Sequence, residues 1–330
     1  MPPSEDTSKG NHHTFQIGVT PLKQQASRAG AGRPQVIAAA VAILAACSGS
    51  AHRSAAPLAG GQGAAAATAP HSSTPQVTEH YADVGDIRIF YKEAGAGTPV
   101  VFLHGGFGST AEWDRYFPLL ADAYRVIAPD SRGQGRTSIG NGPITYGRMA
   151  ADVIGLLDRL GIERAHVVGY SDGGCIALHL LTDYPDRLLS ATLIGTPYHL
   201  DNYKAEGFEA LRSFIAGLEA GDPAHARRKA AYEASAADPA AWPELVKRLG
   251  RTWLSQPTFG NAELRAIETP VLVVKVSRDE FYPPEVFDRT AALIPGARIL
   301  DLGEGTHRIP REQPERLAQG IRAFIGAVAP

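Results

Sequence analysis

Cysteine is nearly absent: the 330 residues contain two, Cys47 and Cys175. Two thiols cannot build a disulfide framework or a thiolate-rich metal site. Charge of one sign is not in excess either. The 32 Lys and Arg face 34 Asp and Glu, for a formal net charge of −2. That excludes a broad basic surface for nucleic acid or an anionic membrane. The conspicuous apolar run, residues 36–46 (VIAAAVAILAA), has 11 residues and is too short to cross a bilayer. Internal repeats are lacking. What remains, 44% hydrophobic and 20% charged, is the composition of a folded globular protein.

The chain divides near residue 76. The apolar run at 36–46 has the length of a signal-peptide h-region, and Lys23, Arg28 and Arg33 supply positive charge before it. It ends Leu44-Ala45-Ala46-Cys47, which resembles the lipobox of bacterial lipoproteins and implies lipidation of Cys47. Residues 1–47 are therefore expected to be a targeting segment, and the protein to be exported to the cell envelope with a lipid anchor or released beyond it. Residues 48–76 are rich in Ala, Gly, Ser, Thr and Pro. They lack the large apolar groups that offset ordering entropy, so they read as a flexible tether. Residues 77–330 have the composition and length of one α/β domain.

Within that domain, strands and helices alternate. Residues 81–91 read as a hairpin, and 100–103 (VVFL), 124–128, 165–170, 190–194, 271–276 and 297–302 as strands. Ser109 caps an expected helix running to about residue 121. Val153, Leu156, Leu157 and Leu160 share one helical face, and Gly161 stops it. Further helices are expected over 173–183 and 284–294 and at the C-terminus. Such alternation predicts an α/β fold: a mainly parallel sheet with helices on both faces and reactive groups at the carboxyl ends of the strands. Residues 199–268 break the pattern with helical spacing and no strand, and read as a helical cap over those strand ends. Asp222-Pro223 and Asp238-Pro239 look like N-caps followed by proline.

Three segments carry chemistry. Gly169-Tyr170-Ser171-Asp172-Gly173 is a G-x-S-x-G motif that follows an apolar strand and opens a helix. A serine there sits on a sharp turn with small neighbours, above a helix N-terminus whose amides favour an anion. Its hydroxyl needs a base, and the base needs a carboxylate to fix its tautomer. His307 lies in the loop after the final strand and Asp279 in the loop after the preceding one, so the order is Ser, Asp, His, with separations of 108 and 28 residues. Glu280 and Asp201 are the alternative acids. His104-Gly105-Gly106-Phe107-Gly108 follows the strand VVFL. The amide of Gly106, or of Phe107, would join that of Asp172 as an oxyanion hole.

These segments, with Asp130-Ser131-Arg132-Gly133-Gln134-Gly135, resemble the α/β-hydrolase superfamily from about residue 77 to the end. The resemblance implies an eight-stranded sheet with one antiparallel strand, a lid after the sixth strand, acyl-enzyme chemistry without a cofactor, and a structural role for His104. The Ser171-Asp172 pair is similar to the elbow of valacyclovir-hydrolase-like members, where the acid helps recognise an amine. Without that resemblance, Asp172 is an acid stabilised by the helix dipole. Cys175 reads as a buried helix residue. Phe107, Tyr170, Asp172 and Trp253 are the candidate substrate contacts, with Trp113, Trp242 and the cap phenylalanines as further apolar candidates.

The expected activity is cleavage of a small-molecule ester or lactone by a Ser171–His307–Asp279 triad, with no metal or cofactor. The same triad would serve perhydrolysis, amide cleavage or carbon–carbon bond hydrolysis. The alternative of a different class is a non-catalytic, lipid-anchored binding protein on a hydrolase scaffold.

Overall fold

A computed structural model describes residues 76–328. The apolar run at 36–46, Cys47 and nearly all of the tether lie outside the described residues. The domain begins with a hairpin, β1 (Thr78–Val84) and β2 (Ile87–Ala94), whose turn is made by Gly85 with φ +55. Then come β3 (Pro99–Leu103), β4 (Arg125–Pro129), α1 (Tyr146–Arg159), β5 (Ala165–Tyr170), α2 (Asp172–Asp183) and β6 (Leu188–Ile194). After β6 come the inserted helices α3 (Ala205–Ala220), α4 (Ala226–Ser235) and α5 (Trp242–Trp253). The chain ends with β7 (Val271–Lys275), α6 (Pro284–Leu293), β8 (Arg298–Asp301) and α7 (Pro314–Val328).

The eight strands form one sheet in the order β1-β2-β4-β3-β5-β6-β7-β8. Only β2 runs against the rest; it pairs antiparallel with both β1 and β4. This is the α/β-hydrolase fold anticipated from the sequence. The central strand β5 (AHVVGY) is buried at every position, as both-face coverage of a parallel sheet demands.

One element differs from expectation. In place of a single helix from Ser109 to about residue 121 there is a 3₁₀ turn, Thr110–Trp113, and then a separate short helix, Phe117–Leu120. Pro118 explains the break. It has no N–H to donate into a preceding turn but fits at the start of a new helix. Ser109 does cap the first turn by accepting from the Ala111 amide.

The inserted helices obey their sequence pattern. Asp222 and Asp238 accept from the amides of Ala224 and Ala240, at 2.8 and 3.0 Å, and start the turns that lead into α4 and α5. On α3 the stripe Leu211, Phe214, Ile215 and Leu218 is buried, and on α5 so are Trp242, Leu245, Val246, Leu249 and Trp253. These apolar faces close over the carboxyl ends of the central strands.

Candidate active site

Strand β5 delivers Ser171 to the top of the sheet. Its amide donates to the carbonyl of Ile194 on β6 at 2.8 Å, and its backbone takes φ +53, ψ −115. Few non-glycine residues hold such angles, so the surroundings must enforce them. Glycine neighbours make the turn tight enough: a Cβ on Gly169 would overlap the carbonyl of Gly173, and one on Gly173 the carbonyl of Leu103.

His307 reaches the serine from the loop after β8. Its Nε2 lies 3.1 Å from Ser171 Oγ, and its Nδ1 lies 2.8 Å from Asp279 Oδ2. Asp279 is fully buried, and its other oxygen accepts from the amides of Phe281 and Tyr282 at 2.9 and 3.1 Å. Burial alone would pull the His307 pKa down. The Asp279 charge and hydrogen bond outweigh it, and the net shift is upward. The rings of Tyr170, Phe281 and Tyr282 pack around the imidazole, with centroids 4.9 to 5.7 Å away.

The two alternative acids are elsewhere. Glu280 accepts from the backbone amide of His307 at 3.0 Å and so holds that loop rather than the ring. Asp201 is exposed and pairs with His199.

The loop after β3 lies against the elbow. His104 is fully buried. It bonds the Gly105 carbonyl through Nδ1 at 2.7 Å and accepts from the Ser131 amide through Nε2 at 2.9 Å, which fixes the loop's base. Phe107 has φ +53. Glu112 accepts from the Gly105 amide and pairs with Arg311, four residues past His307, at 3.1 Å. The loop after β3 and the histidine loop are thereby tied together.

Twelve residues line a cleft with Ser171 and His307 in its wall. Tyr170, Asp172 and Trp253 line it, as the sequence suggested. Phe107 does not: its ring is packed among Phe214, Trp242 and Trp253 of the inserted helices. Trp242 and Phe214 likewise belong to that packing. Trp113 is in the core against Phe102 and Tyr116. Sequence reading missed Glu112, Tyr203, Leu211, Phe281 and Tyr282. Phe281 and Tyr282 had a readable signal, being two and three residues past Asp279. Cys175 is buried, its thiol pushed well up by desolvation.

Asp172 opens α2, but its side chain turns inward. Tyr146 Oη donates to its Oδ1 at 3.0 Å, and Trp253 Nε1 to both oxygens at 3.0 and 2.9 Å. Burial raises its pKa against the pull of those two donors.

The family model described as alpha/beta hydrolase fold matches residues 98–221. A candidate carbamate hydrolase, RutD, of Azorhizobium caulinodans is 28% identical over 263 residues, covering 75% of this chain and 98% of that protein. A 2-hydroxy-6-oxo-6-phenylhexa-2,4-dienoate hydrolase of Comamonas testosteroni is 41% identical over 118 residues, 34% of this chain and 41% of that protein. Among solved structures, a thermophilic esterase from Thermogutta terrifontis superposes with a TM-score of 0.62 at 25% identity, covering 77% of this chain and all of that one. With the strand order and the elbow geometry, these similarities show that the chain has the α/β-hydrolase fold.

Proposed function

We propose that this protein is a serine hydrolase acting on carboxylic esters or lactones, with Ser171 as nucleophile. The observation that carries the reading is the continuous relay Ser171 Oγ, His307 Nε2, His307 Nδ1, Asp279 Oδ2, with separations of 3.1 and 2.8 Å. In this reading His307 removes the hydroxyl proton as Oγ attacks the carbonyl, and Asp279 stabilises the imidazolium that forms. The amides of Gly106 and Asp172 receive the oxyanion. His307 then protonates the leaving alkoxide, and water attacks the acyl-enzyme with the same histidine as base.

Lining chemistry bears on the substrate. Glu112 is paired with Arg311 and Asp172 is held by Tyr146 and Trp253, so neither acid offers a free charge to the cleft, and most of the remaining wall is aromatic or aliphatic. This supports an uncharged ester or lactone. Tyr203, Leu211, Trp253, Phe281 and Tyr282 crowd the space beside Ser171, which favours a small acyl group.

The test is steady-state hydrolysis of p-nitrophenyl esters from acetate to palmitate, with Ser171→Ala in parallel. We expect turnover to favour short acyl groups and to vanish in the variant. Equal activity in the variant sinks the assignment, and an inert wild type transfers the weight to a binding role. We also propose export with lipidation at Cys47, on the strength of the apolar run before it.

A further inference from the structure

Trp253 is the last residue of α5, and it touches the elbow, the oxyanion loop and the inserted helices at once. Its indole N–H is shared between the two oxygens of Asp172, at 3.0 and 2.9 Å. Asp172 is the residue after Ser171, and its backbone amide is one of the two proposed oxyanion donors. The other donor, Gly106, lies flat against the same pair. A Cβ at Gly106 would overlap the Trp253 ring and stand 2.8 Å from Asp172 Oδ2. The next residue, Phe107, meets the indole edge-on with ring centroids 5.4 Å apart.

These contacts are enclosed. Asp172, Trp253 and Tyr146 are all at most 7% exposed. An acid that merely favoured the helix N-terminus would face water. This one is turned inward and held by two neutral donors, Trp253 from the inserted helices and Tyr146 from α1. A buried carboxylate deprived of such donors is costly, so the donors and the acid hold one another in place.

We infer that Trp253 is a positioning residue for the oxyanion hole: its bond to Asp172 seats the inserted helices on the elbow and sets the spacing between the Gly106 and Asp172 amides. This rests on the serine-hydrolase reading for its catalytic consequence but not for its geometry. Donors of this kind act only when they stand where the oxyanion forms, and misplacement by about 1 Å costs up to a hundredfold.

The experiment uses the full chain with Trp253→Phe, Asp172→Asn and the double variant. Readouts are kcat and KM on p-nitrophenyl acetate and on an α-amino p-nitrophenyl ester, the melting temperature, and the Gly106 amide resonance. We expect Trp253→Phe to lower kcat about tenfold or more with KM changed less than about twofold, on both esters. The Gly106 resonance should move in each single variant, and the double variant should lose no more than the worse single one. If Trp253→Phe does not fold, Asp172→Leu, which removes both acceptor oxygens, reports the same coupling. Unchanged kcat with an unmoved Gly106 resonance overturns the inference. So does a loss in Asp172→Asn confined to the amino ester, which would make Asp172 an amine contact. An inert wild type would sink the serine-hydrolase reading, while the Gly106 resonance would still decide whether Trp253 positions the loop.

Discussion

At the scale of single residues, the chemistry follows from what surrounds His307. A general base works in its neutral form, and here the Asp279 carboxylate lifts the imidazole pKa above its ordinary value of 6.5 despite burial. The protonated, inactive form therefore persists to higher pH. We expect kcat/KM for a neutral ester to rise with pH through an apparent pKa above 6.5; a profile already flat at pH 6 would contradict this. Asp279→Asn leaves the ring in place with the wrong tautomer, and a loss of kcat on the order of 10³ to 10⁴ is expected. Glu280→Gln is the control, since Glu280 bonds the His307 backbone amide rather than the ring and should cost far less. Ser171, Asp279 and His307, which the structure brings together, were legible in the sequence because each follows an apolar strand, in the chain order Ser, Asp, His, with glycines beside Ser171 and His307. The cleft lining was not. Tyr203 and Leu211 come from an inserted segment whose helical spacing says which face is apolar but not what that face covers. Asp172 shows the same limit: its place at a helix N-terminus was readable, its partners Tyr146 and Trp253, 26 and 81 residues away, were not.

At the scale of elements, β5 does most to place the site, and it carries a buried titratable group. His166 lies in its interior, with Nδ1 2.7 Å from Ser190 Oγ on β6. Burial, and Arg164 nearby, hold its pKa down to about 4. In the unfolded chain the same imidazole titrates near 6.5, so between those values the unfolded state binds more protons. Stability then falls as pH drops from 6.5 towards 4, by roughly 3 kcal/mol for this one group. Urea melts of wild type and His166→Asn at pH 7 and 4.5 test this; the variant should lose much less stability across the interval, and parallel losses would count against it. The inner parallel strands β3 to β7 were readable because short apolar runs alternate with helical periods. The broken helix after Ser109 was not. Pro118 is compatible both with a kink in one helix and with the start of another, and only the packing of Trp113 and Phe117 into the core decides.

At the scale of the whole molecule, the loops at the strand ends supply the proposed reacting groups and the insertion between β6 and β7 supplies part of the wall around them. Substrate choice should therefore follow the inserted helices while the chemistry stays with the sheet. Leu211→Ala opens the cleft on the α3 side, and we expect the preferred acyl chain to lengthen with Ser171 reactivity retained. Cys47, far upstream of the domain, makes its own prediction. Metabolic labelling with a palmitate analogue of cells expressing the full sequence should mark the processed protein and fail in Cys47→Ala; an unmarked wild type would argue against the anchor.

The most direct test of the central claim is covalent. The full chain is treated with a fluorophosphonate, digested, and the adduct located by mass spectrometry. We predict one modified residue, Ser171, with labelling abolished in Ser171→Ala and strongly slowed in His307→Gln. A protein that does not label, or an adduct on any other residue, would contradict it.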